Sequence, residues 1–303
     1  MQYPTYRLAS QTTALLAAAG LRPLDVESLA LRAIEEDIGD GVDCTTIATV
    51  PSDQRGRLDF TTRGEGVIAG QVIAAAVFDV ICGDDLVVEF CVEEGSTVTP
   101  GTVIMRATAP THALLRAERP ALNLLGHLSG VATSTAEWVG ALQGTTARVR
   151  DTRKTTPGLR AVEKYAVRMG GGSNHRMNLA DAALVKDNHV LAAGGIAPAF
   201  AAVRKEFPEL PVEVEVDTLE QLDEALDAGA DLILLDNFRI KDLREAVLRN
   251  AGRAQLEASG GLTVARASEV ASTGVDFLAV GALTHSAPVL DIGAELIVSD
   301  EES

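Results

Sequence analysis

Apolar residues at 26, 29, 30, 33, 34 and 38 share one face of a 3.6-residue period, which predicts a helix over 25–38. A shorter apolar run over 14–21 also reads as helical. Beyond it lie short alternating or β-branched runs at 66–70, 86–90 and 102–105, the last two joined by a turn-rich stretch, 92–101. These elements predict a small N-terminal α+β unit. From 145 onward the pattern becomes strand, loop, helix, repeated. Strands are expected at 183–186, 211–217, 232–236, 256–259 and 277–281. One intervening helix begins at Thr218, with Gln221 three residues later in a capping-box arrangement, and ends near Gly229. The segment 228–235 is echoed at 273–280: helix end, glycine turn, Asp, buried strand. Repeated βα units with buried strands predict a parallel sheet, open or closed into a barrel. No G-x-G-x-x-G follows a strand, so a dinucleotide fold has no support.

In Val212-Glu213-Val214-Glu215-Val216-Asp217 the period of two places the valines on one face and the carboxylates on the other. If helices cover the valines, the carboxylates point into a barrel and need cations, from side chains or a metal. An edge strand with one wet face is the alternative. Ser259-Gly260-Gly261 and Gly281-Ala282 follow the last two predicted strands. In (β/α) barrels these loops commonly offer backbone N–H groups to a phosphate.

Charge narrows the picture. The 303 residues carry 26 Lys and Arg against 43 Asp and Glu, a net charge of −17, and only 4% are aromatic. Nucleic acid, which wants basic stripes and stacking platforms, is disfavoured, and so is an anionic membrane surface. No apolar run reaches the length of a membrane span: the longest, 67–82, is interrupted by Gln71 and Asp79. The 14–21 run lacks the flanks of a signal peptide. Cys44, Cys82 and Cys91 are odd in number and lack CxxC spacing, so neither a disulfide framework nor a zinc site is expected. A cytoplasmic location is the expectation. Against this acidic background, eight of the 26 cations fall between 148 and 176, beside a Pro157-Gly158 turn and the triple glycine 170–172. Cations gathered at loops predict a small, highly charged anionic ligand; a solvated helix face is the plain alternative.

These segments carry a family resemblance. Ala117-Glu118-Arg119, then NLLGHLSG at 123–130, DTRKTTPGLR at 151–160, the KYAV-R-GGG-NHR stretch at 164–176, Lys186-Asp187-Asn188-His189, the strand 212–217, Leu234-Leu235-Asp236-Asn237, Ser259-Gly260-Gly261 and VGALTHS at 280–286 occur in the order seen in quinolinate phosphoribosyltransferases. The chain resembles that family over nearly its full length. The resemblance implies an α/β protein with two domains. An N-terminal α+β open sandwich would span 1–127, with the C-terminal segment 287–303 returning to it. An incomplete parallel α/β barrel, TIM-like and phosphate-binding, would span 128–286.

It also implies a reaction: quinolinate and 5-phosphoribosyl-1-pyrophosphate give nicotinate mononucleotide, pyrophosphate and carbon dioxide, a step of NAD biosynthesis. Arg119, Thr152, Arg153, Lys154, His175, Arg176 and Lys186 are the implied substrate-binding set. Lys154, Lys186, Glu215 and Asp236 are the implied catalytic residues, with Glu215 and Asp236 also holding Mg²⁺, directly or through water. Ser259, Gly260, Gly261, Gly281, Ala282, Leu283 and His285 would receive the 5-phosphate. Arg119 would serve the site of a neighbouring subunit, implying a homodimer or larger homo-oligomer. His127 reads as structural, His189 as ambiguous, and Lys164 and Arg168 as a solvated helix face. Three alternatives stay open: a related transferase acting on another carboxylated base, a Schiff-base aldolase using Lys154 or Lys186, and a non-catalytic quinolinate sensor.

Overall fold

The computed structural model describes residues 8–298, which divide into two compact units. One comprises the chain up to Ser134, Pro157–Gly170 and the chain from Ala287; the other comprises Thr135–Thr156 and Gly171–Ser286. The segment 157–170, expected in the barrel, packs within the first unit, and the boundary expected at 127 falls at 134, inside one continuous helix. No helix among the described residues is long and apolar enough to cross a membrane.

The first unit is built on strands β1 (Arg55–Thr62), β2 (Gly66–Val67), β3 (Val87–Phe90), β4 (Thr97–Val98) and β5 (Val103–Pro110). The C-terminal strand Ile292–Val298 joins them, giving an antiparallel sheet in the order C-terminal strand, β1, β5, β3, while β2 and β4 form a separate pair. Alternation in β1 buries Leu58, Phe60 and Thr62. Phe60 meets Phe78 edge to face at 5.8 Å, on the helix Gln71–Cys82. That helix is buried on all sides but one residue, which explains why 67–82 is the most apolar stretch of the chain. The amphipathic helix Pro23–Ile38 starts on a proline at its first position, as helix entry favours, and buries Val26, Leu29, Ala30 and Ile34.

The helix Thr111–Ala141 spans 31 residues with Pro120 inside it. Its Gly126 and Gly130 are needed for a close approach. The chain at 288–290 runs against them, Leu290 N–H donating to Gly126 O at 3.0 Å, and a Cβ on Gly130 would collide with the Pro288 carbonyl. The NLLGHLSG motif therefore serves packing. His127 lies in it and bonds Glu163 at 2.8 Å, as expected of a structural histidine. The solvated-face expectation for 164 and 168 is corrected: Lys164 is fully buried, and Arg168 donates to Ala19 O at 2.6 Å over the Tyr165 ring.

The second unit contains β6 (Arg148–Arg150), β7 (Ala183–Val185), β8 (Val212–Val216), β9 (Leu232–Asp236), β10 (Gln255–Ser259) and β11 (Phe277–Ala279). They form one six-stranded parallel sheet in the order β6-β11-β10-β9-β8-β7, with helices between. Thr218 caps the helix Leu219–Asp227 with a complete capping box, as predicted. Ser173 pairs in parallel beside β6, and Arg176 Nη1 donates to Ala182 O at the foot of β7, so the chain 173–182 runs from one edge strand to the other.

Candidate active site

Register decides which side chains meet. Residues paired in a parallel ladder share a face, and every second residue along a strand returns to it. The pairs Leu184–Glu213, Glu215–Leu234, Ser259–Asp236, Glu257–Phe277 and Ala279–Arg150 therefore put one set on a common face. Continued by two, that face gathers Lys186, Glu215, Asp236, Ser259 and Gly281 at the C-terminal ends of five strands. One step lower lie Arg150, Glu213 and Glu257. Alternate strands, β6, β8 and β10, supply this lower layer, as barrel interiors do.

In the upper tier Lys186 Nζ makes a short hydrogen bond to Glu215 Oε2. His189 Nδ1 takes the Lys186 backbone N–H at 3.0 Å, fixing the lysine where β7 ends. Asp236, on the neighbouring strand, accepts from Asn237 Nδ2 at 2.6 Å. Asp217, expected on the same face, is exposed beyond the end of β8, because the strand stops at Val216 and the Asp217 N–H is drawn to Gln221 at 2.6 Å. Lys154 is exposed, and its stem lies over Gly281, where a Cβ would stand 3.1 Å from its Cδ. Thr284 Oγ1 donates to Lys154 O at 2.8 Å and Thr152 Oγ1 accepts the Lys154 N–H at 2.9 Å. Lys154 and Thr152 are thereby joined to the 281–285 turn, which also carries Ala282, Leu283 and His285. At the other glycine loop, Gly260 has φ +92°, and a Cβ there would fall on Asn237 Oδ1; Asn237 itself is left-handed at φ +56°.

The cations gather through Asp151. Buried at the end of β6, it accepts the His175 N–H at 2.8 Å and Asn174 Nδ2 at 2.5 Å, tying the DTRK loop to the NHR stretch. Arg176 is held below the usual arginine range by burial first and then by the Arg153 guanidinium beside it, with Glu213 and Asp181 pulling the other way. Two guanidinium groups are thus placed together, an arrangement suited to carboxylates.

Beneath them, Arg150 Nη1 pairs with Glu257 Oε2 at 2.6 Å and lies over the Phe277 ring at 4.7 Å. His175 Nε2 lies 2.7 Å from Glu213 Oε2 and 3.5 Å from Glu257 Oε1. Burial, with the Glu213 charge second, pushes the Glu257 carboxyl up to about 7, against the pull of Arg150 and His175. The sequence motifs give Glu257 no role, and leave Arg150 and Asp151 as members of the cation cluster and the DTRK stretch without one. The signal for Glu257 is the alternation Gln255, Glu257, Ser259 against Leu256 and Ala258, the same pattern as in 212–217. Arg119 sits exposed on the helix Thr111–Ala141 of the first unit.

Two family models match the chain: the quinolinate phosphoribosyl transferase N-terminal domain over 43–129 and the C-terminal domain over 131–295. The chain belongs to this family. It is 52% identical to the nicotinate-nucleotide pyrophosphorylase [carboxylating] of Mycobacterium leprae over 269 residues, 88% of this chain and 95% of that protein. The solved structure of NadC from Streptococcus pyogenes superposes with a TM-score of 0.88 at 37% identity, covering 92% of this chain and 99% of that one. The nicotinate-nucleotide pyrophosphorylase from Francisella tularensis gives 0.84 at 35% identity, covering 90% and 96%. These quinolinate phosphoribosyltransferase relatives match both units of the chain, so the α/β architecture and the six-stranded parallel sheet are those of the family.

Proposed function

We propose that the chain transfers the phosphoribosyl group of 5-phosphoribosyl-1-pyrophosphate to the ring nitrogen of quinolinate, releasing pyrophosphate and carbon dioxide. The observation that carries this is the gathering of Arg153 and Arg176 in the same unit as a mouth formed by Lys186, Glu215 and Asp236. A dicarboxylate suits the guanidinium pair and Lys186. The 5-phosphate suits the loops 259–261 and 281–283, with His285 beside Gly281. The pyrophosphate suits Lys154.

Glu215 and Asp236, half-buried at the ends of neighbouring strands, are hard oxygen donors of the kind Mg²⁺ takes together with water and phosphate oxygens. When bound there, the ion would neutralise charge on the departing pyrophosphate. The two carboxylates hold the ribose hydroxyls and offset the positive charge that develops on the ribose carbon as its bond to pyrophosphate breaks. The ring nitrogen then bonds that carbon and becomes cationic. Its charge stabilises the electron pair left when the adjacent carboxyl departs as carbon dioxide, and a proton completes the ring carbon. Lys186, its ammonium held by Glu215, is assigned to that carboxylate and is the candidate proton donor. The protein incubated with quinolinate, the donor and Mg²⁺ is expected to form nicotinate mononucleotide and carbon dioxide in equal amounts; no nucleotide under those conditions would overturn the assignment.

The resemblance implies that Arg119 serves the site of a neighbouring subunit in a homodimer, and its exposure leaves it available for that. Equal mixing of inactive Arg119→Ala and Lys154→Ala chains should then restore about a quarter of wild-type activity, because one site in four receives both intact residues. Hybrids that form and remain inactive would refute the shared site. A location in the cytoplasm agrees with the free state of Cys44, Cys82 and Cys91.

A further inference from the structure

The layer below the mouth constrains His175 more tightly than substrate binding alone requires. Its side chain is 8% exposed, and those of Glu213 and Glu257 are 3% and 0% exposed. Both ring nitrogens have partners inside the protein. Nδ1 accepts the backbone N–H of Arg176 at 2.8 Å, and Nε2 faces Glu213 Oε2 at 2.7 Å. A ring nitrogen that accepts an N–H carries no proton, so the single imidazole proton sits on Nε2 and is given to Glu213. An imidazolium would set an Nδ1 proton against the Arg176 amide proton.

Arg176 is then held twice: its backbone by His175, and its guanidinium by Ala182 O at 2.8 Å within the field of Glu213. Glu257 lies under the same ring, 3.5 Å from Nε2, and is anchored by Arg150 at 2.6 Å.

We propose that His175 is a neutral positioning residue, oriented by Glu213 and the Arg150–Glu257 pair, that sets Arg176 for the quinolinate carboxylate instead of binding that carboxylate as a cation. The proposal rests on the quinolinate reading above and adds to it a fixed tautomer and a division of labour between adjacent residues of the NHR motif. A metal ion is the rival occupant, since one ligand atom each from His175, Glu213 and Glu257 lies within 4.8 Å of the others. Arg150 on Glu257 and Arg176 near Glu213 already supply the cations there, and a divalent ion would add charge beside two guanidinium groups.

Two isosteres separate the roles. Asn places its side-chain oxygen where Nδ1 stands and can accept the Arg176 N–H; Gln reproduces the Nε2 end and lacks that acceptor. Both variants lose one of the two ring contacts, and His175→Gln is expected to weaken quinolinate binding by about 3-fold or more beyond His175→Asn, with the donor KM steady in both. Equal, large losses in the two neutral variants would show that the positive charge matters and overturn the proposal.

Nitrogen-15 NMR of the histidine-labelled full chain gives a second readout that needs no substrate, the His175 signals being identified by their loss in either variant. A protonated Nε2 and a bare Nδ1 are expected. A doubly protonated ring, or one tightly bound zinc or manganese ion per chain that removes the Nε2 proton, would overturn it. Failure of the wild-type protein to bind quinolinate, with the tautomer as expected, would instead overturn the functional reading.

Discussion

Offered nicotinate in place of quinolinate, the enzyme is expected to lose roughly 10³-fold or more in kcat/KM. Nicotinate lacks the carboxylate next to the ring nitrogen, so part of the cation set is left without its partner. A polar or charged group left unpaired once the base has excluded water costs about 1–3 kcal/mol, and sites that pair a polar substrate group reject analogues lacking it far more strongly than apolar pockets reject a missing methylene. The Arg153 charge felt at Arg176 adds to this, since an anion bound by both relieves their mutual repulsion. Both bases yield the same nucleotide, so initial rates of its formation compare them directly. Similar efficiencies would remove the dicarboxylate from the site and favour a transferase for another carboxylated base.

The second large effect concerns the carboxylates at the mouth. Glu215→Gln and Asp236→Asn keep size and most hydrogen bonding while removing one negative charge each. Single-turnover rates are expected to fall on the order of 10²-fold, with quinolinate affinity changed much less, because the charge they oppose appears only as the ribose–pyrophosphate bond breaks. In Glu215→Gln the Lys186 ammonium also loses its ionic partner, so the two variants need not be equal. A structural role predicts the opposite split: a lower melting temperature with normal single-turnover rates in the folded protein. Measuring rate, affinity and melting on the same preparations decides between them, and normal rates in both variants would take these carboxylates out of the mechanism.

What the sequence disclosed, and what it hid, follows from the range of the interactions involved. Five of the six parallel strands were legible as short apolar or alternating runs, and the Thr218–Gln221 box because capping is local. The inward carboxylates of 212–216 followed from a period of two. Three features were not legible. The helix Thr111–Ala141 contains Pro120, Gly126, Gly130 and Gly140, each a breaker by local rules, and two of those glycines are explained only by the chain at 288–290. Strand β6, Arg148-Val149-Arg150, reads as charge until Glu257, more than a hundred residues away, receives Arg150. Lys164, taken for a solvated face, is buried by packing that no single helix reveals. At the candidate site, the motifs named the residues that resemble the family's, while the layer that orients them became visible only when strand register was known.

The contact between Gly260 and Asn237 has a mechanical consequence. Asn237 Oδ1 occupies the space a side chain on Gly260 would need, its N–H donates to Ser259 O at 2.9 Å, and its amide donates to Asp236. The glycine loop assigned to the 5-phosphate and the carboxylate assigned to the ribose are thus braced by one asparagine, and neither can shift without the other. The span between them is set by these contacts. Under the proposed assignment, the two strand ends would act as a gauge of set span for a sugar phosphate.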